Sequence, residues 1–120
     1  MSFQKRIRSV GFALKGLKDL MKSQPNARVH LFACIAVISA GLYFQITKAE
    51  WLAVVICMAL VVSMEAVNTA FEYLTDLVSP EHHPLAGKVK DVAAAAVLVA
   101  AIGAAVVGAL VFIPYIFSNN

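Results

Sequence analysis

Three apolar runs, each long enough to cross a bilayer, leave this chain little choice but a helical membrane fold. They fall at about residues 28–46, 51–78 and 91–117. A hydrocarbon core roughly 30 Å thick takes about 20 helical residues to span. Composition agrees: 61% of the 120 residues are hydrophobic and the mean hydropathy is +0.80, more than a soluble domain this short carries. The fold class expected is therefore all-α integral membrane, with three spans in a single domain over residues 1–120.

Ahead of the spans, residues 2–22 repeat Phe3, Ile7, Val10, Leu14, Leu17 and Met21 at helical spacing, and Lys5, Arg8, Lys15, Lys18 and Lys22 fill much of the rest. A basic face opposite an apolar face is the pattern of a helix lying in the membrane interface, although the same pattern also suits a helix packed on the bundle. The charged N-terminus lacks the apolar run and cleavage site of a signal peptide. Ser23-Gln24-Pro25-Asn26 breaks the helix, because Pro25 disfavours a helical Gln24. Pro80 ends the second span, and residues 79–90, with two prolines and Gly87, are expected to be a polar loop. The third span is rich in Ala and contains Gly103 and Gly108, residues that let helices approach closely in lipid.

Nine of the ten Lys and Arg residues lie in the N-terminal segment or in 79–90, and only Lys48 lies across the membrane. The positive-inside rule then places the N-terminus and the 79–90 loop in the cytoplasm and the C-terminus outside. The net charge of +3 is explained by topology and gives no case for nucleic-acid binding. There is no GxxxxGK[ST] and no GxGxxG, and no room for a separate nucleotide-binding domain. Cys34 and Cys57 sit inside apolar runs and read as packing residues.

The second span is not apolar throughout. At about 100° per residue, Glu65, Asn68, Thr69, Glu72 and Asp76 fall in one stripe, opposite Val62, Ala66, Ala70 and Phe71. A charge at the bilayer centre costs roughly 2.5–3.5 kcal/mol on insertion scales, and such residues usually face a bundle interior or a site. If Trp51 sits in the outer interfacial belt, Glu65 lies about 21 Å further in, within the inner leaflet, with Glu72 and Asp76 at the headgroups. The stripe thus runs from lipid to cytosol. Near its cytosolic end the sequence gathers Glu81, His82, His83, Lys88, Lys90 and Asp91.

Carboxylates suit Mg²⁺, Lys suits phosphate, and a carboxylate at lipid depth suits a base for a lipid hydroxyl. Such a set is what phosphoryl transfer from a nucleotide needs. An interhelical salt-bridge seam or an ion path would place acids on one helix face equally well. His82-His83 alone is a weak metal pattern, and Lys90-Asp91 reads also as a first-turn ion pair and cap.

The patterns ExxNTAxExxxD at 65–76 and HxLxxxxKDxxxAAV at 83–97, with Gly11-Phe12-Ala13-Leu14-Lys15-Gly16-Leu17, resemble the prokaryotic diacylglycerol kinase family, which includes undecaprenol kinases. The resemblance covers nearly the whole chain. It implies a homotrimer in the bacterial inner membrane whose active sites, shared between subunits at the cytosolic edge, transfer the γ-phosphate of Mg-ATP to a lipid hydroxyl. Undecaprenol is the acceptor favoured by the His-Pro-Leu and Lys-Asp-Val-Ala-Ala segments, with diacylglycerol next. By position, Glu65 resembles the catalytic base, with Asn68 and Asp91 in the catalytic set. Glu72 resembles a metal ligand that also serves ATP. Asp76, Glu81, His82, His83, Lys90 and Asp91 resemble the residues that hold the nucleotide. Three positions depart from the family pattern: Lys5 stands for an Arg at the nucleotide, Phe12 for a Tyr, and Gln24 for a second metal-binding Glu. Gln24 keeps an oxygen but no charge, and it favours the rival reading, a non-catalytic oligomeric membrane protein that kept the fold.

Overall fold

The computed structural model describes residues 2–118, and among them every regular element is a helix. These are α1 (Phe3–Ser23), α2 (Pro25–Phe44), α3 (Lys48–Val78) and α4 (Pro84–Ile116). The last three are each long and apolar enough to cross a membrane.

The boundaries follow local chemistry. Ser2 caps α1 by accepting the Lys5 N–H at 3.2 Å. Pro25 holds Gln24 extended (φ −116°, ψ 108°), then serves as the first residue of α2, where its missing N–H costs nothing. The break is thus one residue wide, and α2 begins before the expected Arg28. Arg28 Nη1 donates to the Met21 and Lys22 carbonyls, both at 3.0 Å, satisfying acceptors left open at the end of α1. At the other end of α2, Gln45 takes a left-handed conformation (φ 53°, ψ 55°), so the helix stops at Phe44 and not at Ile46. The close turn needs Gly41, because a Cβ there would lie 2.6 Å from Trp51 Cη2.

Thr47 and Glu50 form a reciprocal cap at the start of α3, Thr47 Oγ1 accepting the Glu50 N–H at 3.2 Å and Glu50 Oε1 accepting the Thr47 N–H at 2.9 Å. Helix α3 therefore starts at Lys48, ahead of Trp51. Tyr115 near the end of α4 also donates its hydroxyl proton to Glu50 Oε1, pinning the two helices together at this end. The buried apolar cluster of Ile46, Val54 and Val111 lies here, with Trp51, Phe44 and Phe112 against it.

The expected loop at 79–90 is shorter than the sequence suggested. Only residues 79–83 are non-helical, and α4 starts at Pro84 instead of Asp91. The prolines and glycine suit a loop, yet Pro84 occupies the first helical position, where proline is favoured, and Gly87 is carried within the helix. His83 Nδ1 caps α4 by accepting the Leu85 N–H at 3.1 Å. At ~1.5 Å per residue, α3 and α4, of 31 and 33 residues, are about 46 and 50 Å long and so outreach a hydrocarbon core roughly 30 Å thick. They pack along each other, while α1 buries only Leu20 and leaves Phe3, Ile7, Val10 and Leu14 exposed.

Candidate active site

The stripe predicted on α3 is real as a surface and graded in burial. Glu65, Asn68 and Thr69 are buried, Glu72 is half-buried and Asp76 is exposed. Thr69 Oγ1 returns its proton to the Glu65 carbonyl at 3.0 Å, which keeps that hydroxyl satisfied on its own helix. Asn68 Nδ2 donates to Glu72 Oε1 at 3.4 Å, a long contact that joins the deep part of the stripe to the shallow part. Two atoms of this group are sealed from solvent without a hydrogen-bond partner: Glu65 Oε2 and Asn68 Oδ1. Buried polar atoms are nearly always paired, so two orphans on one helix face single out this part of the stripe.

Among the described residues, Glu65 has an imidazole neighbour on another helix. His30 Nε2 of α2 stands 3.6 Å from Glu65 Oε2. His30 is a residue that the sequence patterns above leave out. The signal was available, since His30 is the only imidazole inside the apolar run of α2 and intramembrane ionisable residues tend to be functional. Beside His30, α2, α3 and α4 enclose a cavity of about 270 Å³ lined chiefly by apolar residues, among them Val37, Val54, Val61, Ala104 and Gly108.

At the far end of the stripe, Lys90 Nζ of α4 donates to Asp76 Oδ1 at 2.7 Å. The alternative reading of Lys90 and Asp91 as a first-turn ion pair is thereby set aside. Because α4 starts at Pro84, Asp91 lies well inside the helix, exposed, and caps nothing. His83 is occupied as the cap of α4, while Glu81 and His82 are exposed in the short loop. Lys5 and Phe12 are exposed on α1, where Lys15 Nζ stands 5.6 Å from the Phe12 ring centre. The chain by itself thus brings together Glu65, Asn68 and Glu72, and separately Asp76 and Lys90.

Gln24 is half-buried at the α1–α2 break. A network unforeseen in the sequence ties that break to α3: Tyr73 donates to Asp19 Oδ2 at 2.7 Å, and its hydroxyl lies 3.1 Å from Ser23 Oγ. Ser23 precedes Gln24 and Tyr73 follows Glu72, so the same joint neighbours both residues expected at a metal. Among the described residues no three His, Cys, Asp or Glu side chains converge as a metal site. Glu72 and the Gln24 amide oxygen suit a Mg²⁺ that arrives on nucleotide phosphates, since that ion usually takes one or two carboxylates and keeps waters and phosphates for the rest.

Three long apolar helices define a multi-pass helical membrane protein, and a buried carboxylate leading to a Lys–Asp pair gives it a polar path along one helix. The family model described as prokaryotic diacylglycerol kinase matches residues 11–112, and the chain belongs to that family. It is therefore a lipid kinase, a phosphotransferase by class. The chain is 34% identical over 100 residues to an undecaprenol kinase of Bacillus subtilis, covering 83% of this chain and 81% of that one. It is 37% identical over 113 residues to a diacylglycerol kinase of Synechocystis, covering 92% of this chain but only 63% of the longer relative. A diacylglycerol kinase of Escherichia coli is 27% identical over 104 residues, with 87% and 85% covered.

Proposed function

We propose that this chain transfers the γ-phosphate of Mg-ATP to the hydroxyl of a membrane lipid, with undecaprenol favoured and diacylglycerol second. The observation that carries the reading is Glu65: a buried carboxylate on a membrane helix, with one oxygen unpartnered and a polar stripe leading from it to Glu72 and the Asp76–Lys90 pair. The preference for undecaprenol rests on the Bacillus relative and on the His-Pro-Leu segment at 83–85.

In this reading Glu65 accepts the proton of the lipid hydroxyl. The hydroxyl oxygen attacks the γ-phosphorus, the bond to the bridging β–γ oxygen breaks, and lipid phosphate and ADP leave. Asn68 lies between Glu65 and Glu72 on the helix face and holds Glu72 through its amide. Glu72 and Gln24 would hold Mg²⁺, which when bound draws charge from the phosphate oxygens. Lys90 sets a cation at the phosphates, with Asp76 holding its ammonium. Lys5, Phe12, Glu81, His82, His83 and Asp91 complete the nucleotide side when subunits assemble. The apolar cavity beside His30 runs from the level of Val61 toward Val54, the direction in which the tail of a lipid with its hydroxyl at Glu65 would lie.

The assembly is a homotrimer in the inner membrane, α1 lying on the cytoplasmic surface with its exposed apolar face in the interface. The excess of Lys and Arg on the side of α1 and loop 79–83 supports that orientation. The reading is tested with purified protein, Mg-ATP and a panel of lipid alcohols. Phosphorylated undecaprenol is the expected product, and no phosphorylated lipid from any alcohol would overturn the proposal.

A further inference from the structure

We propose that His30 is a positioning residue for phosphoryl transfer: its imidazole holds the Glu65 carboxylate in the orientation that receives the lipid proton. The inference rests on Glu65 acting as the base. The contact joins two helices, with His30 Nε2 on α2 standing 3.6 Å from Glu65 Oε2 on α3. The Glu65 side chain is 3% exposed and that of His30 20%, so water has little access to the carboxylate and more to the imidazole.

The rest of the neighbourhood leaves no substitute. Glu65 Oε2 has no hydrogen-bond partner among the described residues. Asn68, on the same face, turns its amide N–H toward Glu72 and gives none to Glu65 Oε2. Arg28, the cation closest to His30 in sequence, has Nη1 on the carbonyls of Met21 and Lys22. Helix α4 brings only Ala101, Ala104, Ala105, Val107 and Gly108 to the adjoining cavity. A carboxylate this enclosed has little water to solvate it, and His30 is the polar group in place across the helix interface. At 3.6 Å the two atoms stand just beyond hydrogen-bond length, close enough for the imidazole to orient the carboxylate electrostatically. The consequence is a second helix with a share in the chemistry: α2 sets the angle of a base carried by α3.

The experiment compares wild type, His30→Gln, Glu65→Gln and the double variant, measuring kcat and the KM values for lipid and Mg-ATP. A misplaced group costs about 10²-fold when the displacement reaches 1 Å. His30→Gln should therefore lower kcat by about 10- to 100-fold while the KM for Mg-ATP stays within about twofold of wild type. In the Glu65→Gln background the same change should have no further effect, because the group being positioned is gone. A kcat for His30→Gln within twofold of wild type, or equal losses in both backgrounds, would overturn the proposal. Should His30→Gln fail to fold, the nitrogen resonances of His30 in wild type and Glu65→Gln decide the matter. A shift of the Nε2 signal supports the contact, and an unmoved signal overturns it. Full turnover in Glu65→Gln would instead strike the base assignment, a failure separable from the loss of the His30 contact.

Discussion

Glu65 and Glu72 share a face of one helix but differ in what surrounds them. Glu65 is sealed, with an unpartnered oxygen, whereas Glu72 is half-exposed and accepts from Asn68. A buried base and a shallower metal ligand should fail in different ways. Glu72→Gln removes the charged member of the Gln24/Glu72 pair, and we expect it to raise the Mg²⁺ concentration for half-maximal activity several-fold; an unchanged Mg²⁺ titration would count against the assignment. Gln24→Glu should act in the opposite sense, lowering the Mg²⁺ requirement by adding a charged oxygen, and an unshifted curve in an active enzyme would mean that position 24 does not reach the metal. The spacing of Glu65, Asn68 and Glu72 was legible in the sequence because helical periodicity fixes a face without any knowledge of packing. His30 was missed for the complementary reason: its partner lies on another helix, and no periodicity within α2 points to Glu65. Asp19, Ser23 and Tyr73 escaped notice on the same ground, since their network joins residues 50 and 54 positions apart.

At the scale of the helices, the apolar runs were plain and their ends were not. Proline and glycine at 84 and 87 suggested a loop, but a first-turn proline and a His83 cap start α4 there and carry Lys90 within reach of Asp76. That shift changes the site, because the lysine answers an acid on α3 instead of its neighbour Asp91. Lys90→Ala should leave thermal stability nearly unchanged, because both side chains are exposed, while raising the KM for Mg-ATP several-fold. A change in stability without a change in KM would make the pair structural. The turn between α2 and α3 obeys packing more than polarity. Gly41→Ala would set a methyl 2.6 Å from Trp51 Cη2 and 3.2 Å from Ile46 Cδ1, where the ring is held in the cluster around Val54 and Val111. We expect that variant to lose roughly 1–3 kcal/mol, as overpacked cores do. Thermal unfolding in detergent checks it, and an unshifted Tm would show that the Trp51 ring moves aside freely.

For the whole molecule, a single chain leaves the Asp76 end of its stripe and its Lys5, Phe12, Glu81 and His82 on exposed surfaces. Shared sites in a homotrimer would gather them, and chemical cross-linking in detergent should trap trimers; a fully active monomer would contradict that arrangement. The family was legible because its motif residues sit within two short windows, 65–76 and 83–97, and the match to residues 11–112 bears this out. The lipid acceptor was less so, since it depends on how cavity walls from three helices meet. The account turns on Glu65, and the most direct measurement is the rate of γ-phosphate transfer to undecaprenol by wild type and Glu65→Gln, read together with Mg-ATP binding. Loss of a positioned base predicts a rate about 10²- to 10⁴-fold lower with nucleotide binding unchanged. A Glu65→Gln protein that phosphorylates the lipid as fast as wild type would contradict the account.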